Sequence, residues 1–186
     1  MKIRIDPTLL FFLIFLWNSG EAWLLATLLA ALFHECGHLL AASACRIPVR
    51  LMELDLFGAK IHPYGFISSY KKELLLAASG PLFSLLLGIF LLPYGGIFAT
   101  ALKSATFSLL LFNLLPIGDL DGGRVLRCAL SSCLTQERCD RVLAVTSYLF
   151  LFFLFSLSSC MLLRYGQNLT LTLLCASLFA KLFLLQ

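Results

Sequence analysis

The sequence predicts an all-α membrane protein of six transmembrane helices, with a short β-hairpin-like insertion between the second and third. Composition supports this, because hydrophobic residues make up 60% of the chain, charged residues only 13%, and mean hydropathy is +0.95. Soluble domains average roughly 45–50% apolar and about 25% charged residues. The apolar residues also fall in runs that approach the ~20 residues needed to cross a bilayer. We expect a single membrane domain covering residues 1–186.

After a short basic start at residues 1–6, six apolar runs follow one another along the chain, separated by polar, glycine or proline residues. The runs are 7–17, 22–45, 74–92, 97–115, 142–163 and 169–185. The first is short for a span and lacks the small-residue cleavage site of a signal peptide. We therefore count it as a predicted transmembrane segment that either borrows Ile3 and Ile5 or lies partly at the membrane interface.

Two polar segments interrupt these runs. Residues 46–73 are rich in charge and in glycine and proline, and 49–56 have β-type character before a turn at 57–59, which predicts a hairpin at the membrane surface. His62 in this segment is read as a solvated loop histidine, with a role as metal ligand as the alternative. Residues 116–141 are polar and basic, with an amphipathic helix predicted at 123–134.

Charge placement predicts the orientation in the membrane. With the N-terminus inside, eleven Lys and Arg residues fall on the inner side and only Arg164 on the outer side. This bias predicts that both termini are cytoplasmic. It also explains the net charge of +4 without a nucleic-acid partner. The seven cysteines form no C-x-x-C pair and four lie in apolar runs, which indicates small buried hydrophobic residues or reduced thiols.

The strongest functional signal is the pattern His34-Glu35-Cys36-Gly37-His38 in the second apolar run. Residues four apart lie on nearly the same face of an α-helix, so both imidazoles can bind one metal ion. Glu35 is turned about 100° from His34, which suits a carboxylate that takes a proton from water rather than a ligand. Cys36 is turned about 200° away. Because ionisable residues are costly within a bilayer, this setting favours a metal site over histidines that are merely buried.

A third ligand is expected at the cytoplasmic end of the fourth run, because catalytic zinc usually has three protein ligands. Residues 113–124 read Asn-Leu-Leu-Pro-Ile-Gly-Asp-Leu-Asp-Gly-Gly-Arg. Pro116 ends the preceding helix, and Gly122-Gly123 permits a tight turn. Asp121 is the candidate, and a role as N-cap of the following helix is an equally good reading. Asp119 is the alternative ligand.

These two motifs, together with Gly80-Pro81, resemble the site-2 protease family of intramembrane zinc metalloproteases over nearly the whole chain. The likeness is closest to the stage IV sporulation protein FB branch, in which the residue at 119 is usually proline rather than aspartate. The implied cofactor is Zn2+. The implied site residues are His34, His38 and Asp121 as zinc ligands, Glu35 as catalytic acid/base and Asn113 as a substrate-positioning residue.

The resemblance implies one transmembrane metalloprotease domain that cleaves membrane-tethered protein substrates near the cytoplasmic face of the lipid bilayer. A sigma-factor precursor is among the implied substrates, and regulatory membrane proteins are further implied partners. The CBS domain of the sporulation branch is not expected after the sixth run, since the sequence stops there. This departure leaves nucleotide regulation and the sporulation substrate open.

The alternative function is a membrane metal transporter or a metal-binding scaffold without catalysis. A transporter is expected to carry ligand-type residues in several spans. The ionisable residues within these runs are essentially the motif plus Lys103 and Lys181. A non-catalytic scaffold is expected to lose Glu35 or a ligand, and none is missing. The sequence therefore favours the protease.

Overall fold

The computed structural model describes residues 2–5, 20–55, 58–63, 69–118, 120–165, 172 and 175–179. Within these ranges lie a three-stranded sheet, five helices and a helical stretch at 175–179. The strands are β1 (Lys2–Ile5), β2 (Val49–Asp55) and β3 (Gly58–Pro63). The helices are α1 (Glu21–Ala44), α2 (Tyr70–Leu91), α3 (Ile97–Asn113), α4 (Asp121–Leu130) and α5 (Gln136–Tyr165).

Three of these helices, α1, α2 and α5, are long and apolar enough to cross a membrane. α3 is apolar but has 17 residues, a rise of about 25 Å at 1.5 Å per residue. These four helices overlap the predicted second to fifth spans. The first predicted span, 7–17, lies outside the described residues, as does most of the sixth, 169–185. The number of six spans therefore stays a prediction.

Small side chains fill the contacts between the apolar helices. Ala26 and Ala30 of α1, Ala77 of α2 and Ala101 of α3 are buried. α1 packs on α2 and α3, α2 also packs on α3 and α4, and α4 contacts α5. Small residues let membrane helices approach closely, while large leucine and phenylalanine side chains cover the exposed faces. This arrangement suits a helical protein surrounded by lipid.

The segment between α1 and α2 forms a backbone pairing. The sequence predicted a hairpin here, and β2 and β3 pair antiparallel from Val49–Pro63 to Asp55–Gly58. β1 adds to β2 in parallel, giving the order β1-β2-β3. This third strand corrects the all-α class and the reading of residues 1–6 as a basic start, because four residues are too few for alternation to predict a strand. His62 lies in β3 and not in the predicted loop.

α1 ends in a Schellman motif that turns the chain toward β2. Ile47 N donates to the Ala42 carbonyl at 2.8 Å, and Arg46 has a φ of 52°, the left-handed conformation that usually favours glycine at this position. Lys72, at the start of α2, donates to the Cys45 carbonyl at 3.1 Å. This cation stands at the negative end of the α1 dipole. The contacts fix the end of α1 about two turns beyond its second histidine.

The turn between α3 and α4 is anchored by apolar side chains. Ile117 and Leu120 are buried and pack with Leu151 of α5 and with Leu178. Because these side chains come from both sides of the turn, they hold it against α5. The turn therefore sets the position at which α4 begins.

α4 begins two residues before its predicted start and ends at Leu130, short of the predicted 134. The sequence predicted a tight turn at 122–123, but both glycines lie within α4. They permit a close approach, since a Cβ at Gly123 would collide with the Ile117 carbonyl oxygen. The first turn of α4 thus packs directly on backbone.

Gly123→Ala should lower the free energy of unfolding by about 1–3 kcal/mol, the usual cost of overpacking. The colliding group is a backbone carbonyl, which cannot rotate away as a side chain can. Gly95→Ala is the matched control, since a Cβ at Gly95 meets nothing within 4 Å. Thermal unfolding of the purified protein in detergent compares them. Equal melting temperatures for the two variants would contradict this close packing.

Candidate metal centre

α1 carries two buried histidines one turn apart. The side chains of His34 and His38 are 3% and 5% exposed. Their ring centroids lie 4.9 Å apart, and their Nε2 atoms lie 3.2 Å apart. Side chains at positions i and i+4 stack along one helix face, which brings the two nitrogens to the same point.

Asp121 reaches this point from the first turn of α4. Its Oδ2 lies 3.1 Å from Nε2 of His34 and 3.1 Å from Nε2 of His38, and the residue is buried. The N-cap of α4 is Leu120, with no side-chain capping bond. The reading of Asp121 as an N-cap is therefore wrong, because its carboxylate turns to the imidazoles. Asp119, the alternative ligand, lies outside the described residues.

The three ligand atoms fit a zinc ion. Their separations are 3.1–3.2 Å. A tetrahedral site with bonds of about 2.0–2.1 Å has ligand separations of about 3.3 Å. Two imidazole nitrogens and one carboxylate oxygen also form a ligand set typical of catalytic zinc, which keeps a fourth position open. Within the described residues, this is the only group of three or more such side chains that could hold a metal.

Gly80 of α2 forms one wall of this centre. A Cβ at Gly80 would contact Nε2 of His38 and would lie 2.7 Å from Nε2 of His34. The Cβ of any other residue at position 80 would therefore enter the space that faces both Nε2 atoms. Gly80-Pro81 is part of the family resemblance, which gave it no role. In the structure, Gly80 leaves the space beside the two histidines open.

α2 also orients the two rings from behind. Nδ1 of His38 donates to the Leu76 carbonyl at 2.8 Å. Because a carbonyl only accepts, Nδ1 carries a proton, so Nε2 is the nitrogen that faces Asp121 and can bind a metal. Nδ1 of His34 lies 2.9 Å from Oγ of the buried Ser84. Leu76, Gly80 and Ser84 follow at steps of four and share one face of α2.

The contacts of Leu76 and Ser84 with the histidines were not predicted from the sequence. A backbone carbonyl leaves no signal in a sequence, and a single serine is ordinary in a membrane helix. The one available signal is that Ser84 follows Gly80 by four residues within an apolar run.

The other predicted residues lie around the ligands. Glu35 is 8% exposed and interacts electrostatically with His38, but it is not in the ligand group. Cys36 is half-buried and also outside that group. Asn113 is buried at the end of α3, where its Nδ2 donates to the Leu109 carbonyl at 3.1 Å.

The charge of Asp121 is stabilised although the residue is buried. Burial alone would raise the pKa of its carboxyl, but hydrogen bonds with His34 and His38 lower that pKa to about 2. Arg124 adds a cation, with Nη1 3.9 Å from Oδ1 of Asp121. The carboxylate therefore stays ionised at neutral pH, as a metal ligand must be.

Comparisons with known proteins find a matching family and a relative named as a zinc metalloprotease. Residues 96–157 match Peptidase family M50, a range that includes Asn113 and Asp121. The chain is 36% identical over 124 residues to the protein named zinc metalloprotease Rip3 of Mycobacterium tuberculosis, covering 60% of this chain and 31% of the relative. The chain thus spans about a third of the length of that relative.

The fold is similar to that of a solved structure, the site-2 protease from Methanocaldococcus jannaschii. The TM-score is 0.70 at 23% sequence identity, covering 97% of this chain and 88% of the other. At that identity the likeness concerns the fold alone. The family match includes Asp121, and the fold brings that residue to the two histidines. Residues 96–157 of this chain therefore resemble peptidase family M50, and the described fold resembles that of a site-2 protease.

Proposed function

We propose that this chain is an intramembrane zinc metalloendopeptidase that cleaves membrane-associated proteins near the cytoplasmic face. One observation carries the proposal. Buried ligand atoms of His34, His38 and Asp121 lie 3.1–3.2 Å from one another inside an apolar helical protein. Ionisable side chains inside a membrane are energetically costly. Those that occur there therefore usually have a function.

Glu35 is the proposed acid/base. When bound, zinc supplies Lewis acidity that polarises a peptide carbonyl and promotes deprotonation of water. Glu35 takes the proton from the attacking water and delivers it to the leaving amine. Its burial beside the ligands, and its place outside the ligand group, support this role.

Asn113 is the proposed substrate-positioning residue. A side-chain amide offers both donors and an acceptor to a peptide. One Nδ2 hydrogen is used within α3, on the Leu109 carbonyl. This bond fixes the orientation of the amide, which helps a group that has to align a substrate.

β3 offers a place for the substrate backbone. A helical substrate keeps its carbonyls in backbone hydrogen bonds, so it has to unwind before cleavage. β3 is an outer strand of the sheet and contacts α1. A segment that adds to β3 as a further strand would lie beside the helix that carries both histidines.

The membrane arrangement is proposed from charge. We infer six spans with both termini in the cytoplasm, because basic residues concentrate on that side. The chain then forms one metalloprotease domain over residues 1–186. A sigma-factor precursor is the first substrate to test, on the strength of the sporulation-type motif. Regulatory membrane proteins are further proposed partners.

A metal transporter would require ligand-type residues along a path through the membrane. In the part of the chain that the structure describes, the single group of this kind is the proposed zinc site. No observation favours transport over hydrolysis.

Glu35→Gln should abolish cleavage of a membrane-tethered reporter protein, lowering the rate by about 10²–10⁴ as expected for loss of a general base. Zinc content should stay at the wild-type level, because Glu35 is outside the ligand group. Glu137→Gln, on the exposed first turn of α5, is the matched control and should cleave normally. Unimpaired cleavage by Glu35→Gln would refute the proposed role.

Gly80→Ala should reduce zinc affinity by about tenfold or more, comparable to other changes beside zinc ligands. Its Cβ would occupy the space next to both Nε2 atoms. Gly88→Ala on the same helix is the control, because its Cβ would be crowded by the ring of Phe107, 2.9 Å away, rather than by the histidines. Zinc affinity is measured by chelator competition, with circular dichroism as a check on folding. Equal affinity in the two variants would show that Gly80 does not border the metal.

A further inference from the structure

α5 contributes no ligand, yet one of its side chains holds the turn that leads to Asp121. Ser147 is 1% exposed. Its Oγ accepts a hydrogen bond from Gly118 N at 2.9 Å and donates one to the Leu143 carbonyl at 2.6 Å. Because the hydroxyl is used both as acceptor and as donor, its orientation is fixed.

The same stripe of α5 makes the apolar contact with this turn. Ile117 and Leu120, on either side of Gly118, are buried with Leu151. Leu151 lies one helical turn beyond Ser147. Apolar contacts hold the turn against α5 but tolerate sliding, whereas a hydrogen bond is directional and fixes the position of the Gly118 peptide.

The metal centre takes its side chains from two helices, α1 and α4, and α2 packs on both of them. His34 and His38 belong to α1 and are oriented by α2. Asp121 follows the turn held by α5, and the main contact of α5 among the described helices is with α4. Ligand distances have to be correct within about 0.2 Å for a metal site. A small shift of the turn would therefore move Asp121 away from the histidines.

We propose that Ser147 is a positioning residue for the zinc ligand Asp121, acting through the backbone of Gly118. The proposal rests on the proposed function, since it assumes that Asp121 binds the metal. Removing the hydroxyl leaves the Gly118 N–H without this acceptor and releases the turn to slide along α5. The ligand set would then stay complete while its geometry becomes less exact.

The test is zinc affinity, measured by chelator competition on the purified full chain in detergent. Ser147→Ala should weaken zinc binding by about tenfold, the lower end of the effect of outer partners of zinc ligands. Ser147→Thr keeps the hydroxyl and should restore affinity to within about twofold of wild type. Ser147→Cys, with a weak acceptor, should fall between them and decides the question if Ser147→Ala does not fold.

Ser158→Ala is the matched control on the same helix. Ser158 is also fully buried, and its Oγ lies 2.6 Å from Oγ1 of Thr172. It is about 16 Å along α5 from Ser147 at 1.5 Å per residue. Ser158→Ala should therefore lower the melting temperature without changing zinc affinity.

Three results would overturn the positioning role: wild-type affinity in Ser147→Ala and Ser147→Cys, no rescue by Ser147→Thr, or an equal loss in Ser158→Ala. Asp121→Ala separates this failure from failure of the proposed function. If Asp121→Ala loses zinc while Ser147→Ala retains it, only the positioning role is wrong. If Asp121→Ala retains wild-type affinity, the ligand assignment is wrong and the positioning role is wrong with it.

Discussion

One carboxylate oxygen shared by two imidazoles is the interaction on which the rest of this structure depends. Oδ2 of Asp121 and the Nε2 atoms of His34 and His38 are 3.1–3.2 Å apart and removed from solvent. Polar groups in apolar surroundings are destabilising unless each has a partner. The helices therefore have to meet in one arrangement, which apolar packing alone would not select. Gly80 and the buried turn before α4 both serve that arrangement.

Local spacing explains what could be predicted from sequence. The i, i+4 relation of His34 and His38 is a property of any α-helix, so their common face followed once the apolar run was read as a helix. The four described apolar helices were predictable from the length of the apolar runs. The hairpin between α1 and α2 was predictable from the glycine and proline residues of that segment. Asp121 was less certain, because aspartate also suits a helix N-cap. To choose between a metal ligand and an N-cap requires the tertiary contact of Asp121 with His34 of α1.

Contacts between distant segments explain what could not be predicted. The Leu76 carbonyl orients His38 through backbone, which no residue type encodes. Ser84 and Ser147 are small polar residues in apolar helices, and such residues usually hydrogen-bond to a backbone carbonyl of their own helix. Their roles depend on which helix packs opposite them. β1 was missed because its four residues carry too little pattern, and pairing with β2 decides its conformation. The glycines of α4 were read as a turn because their close contact with the preceding backbone is not visible in sequence.

X-ray absorption spectroscopy at the zinc edge of the purified protein tests the central claim most directly. The account predicts zinc bound by two imidazole nitrogens and a carboxylate oxygen at about 2.0–2.2 Å, with no sulfur ligand. The imidazole contribution should fall in His34→Ala, and the spectrum should change in Asp121→Ala. A sulfur ligand at about 2.3 Å, or a spectrum unaffected by both substitutions, would contradict it.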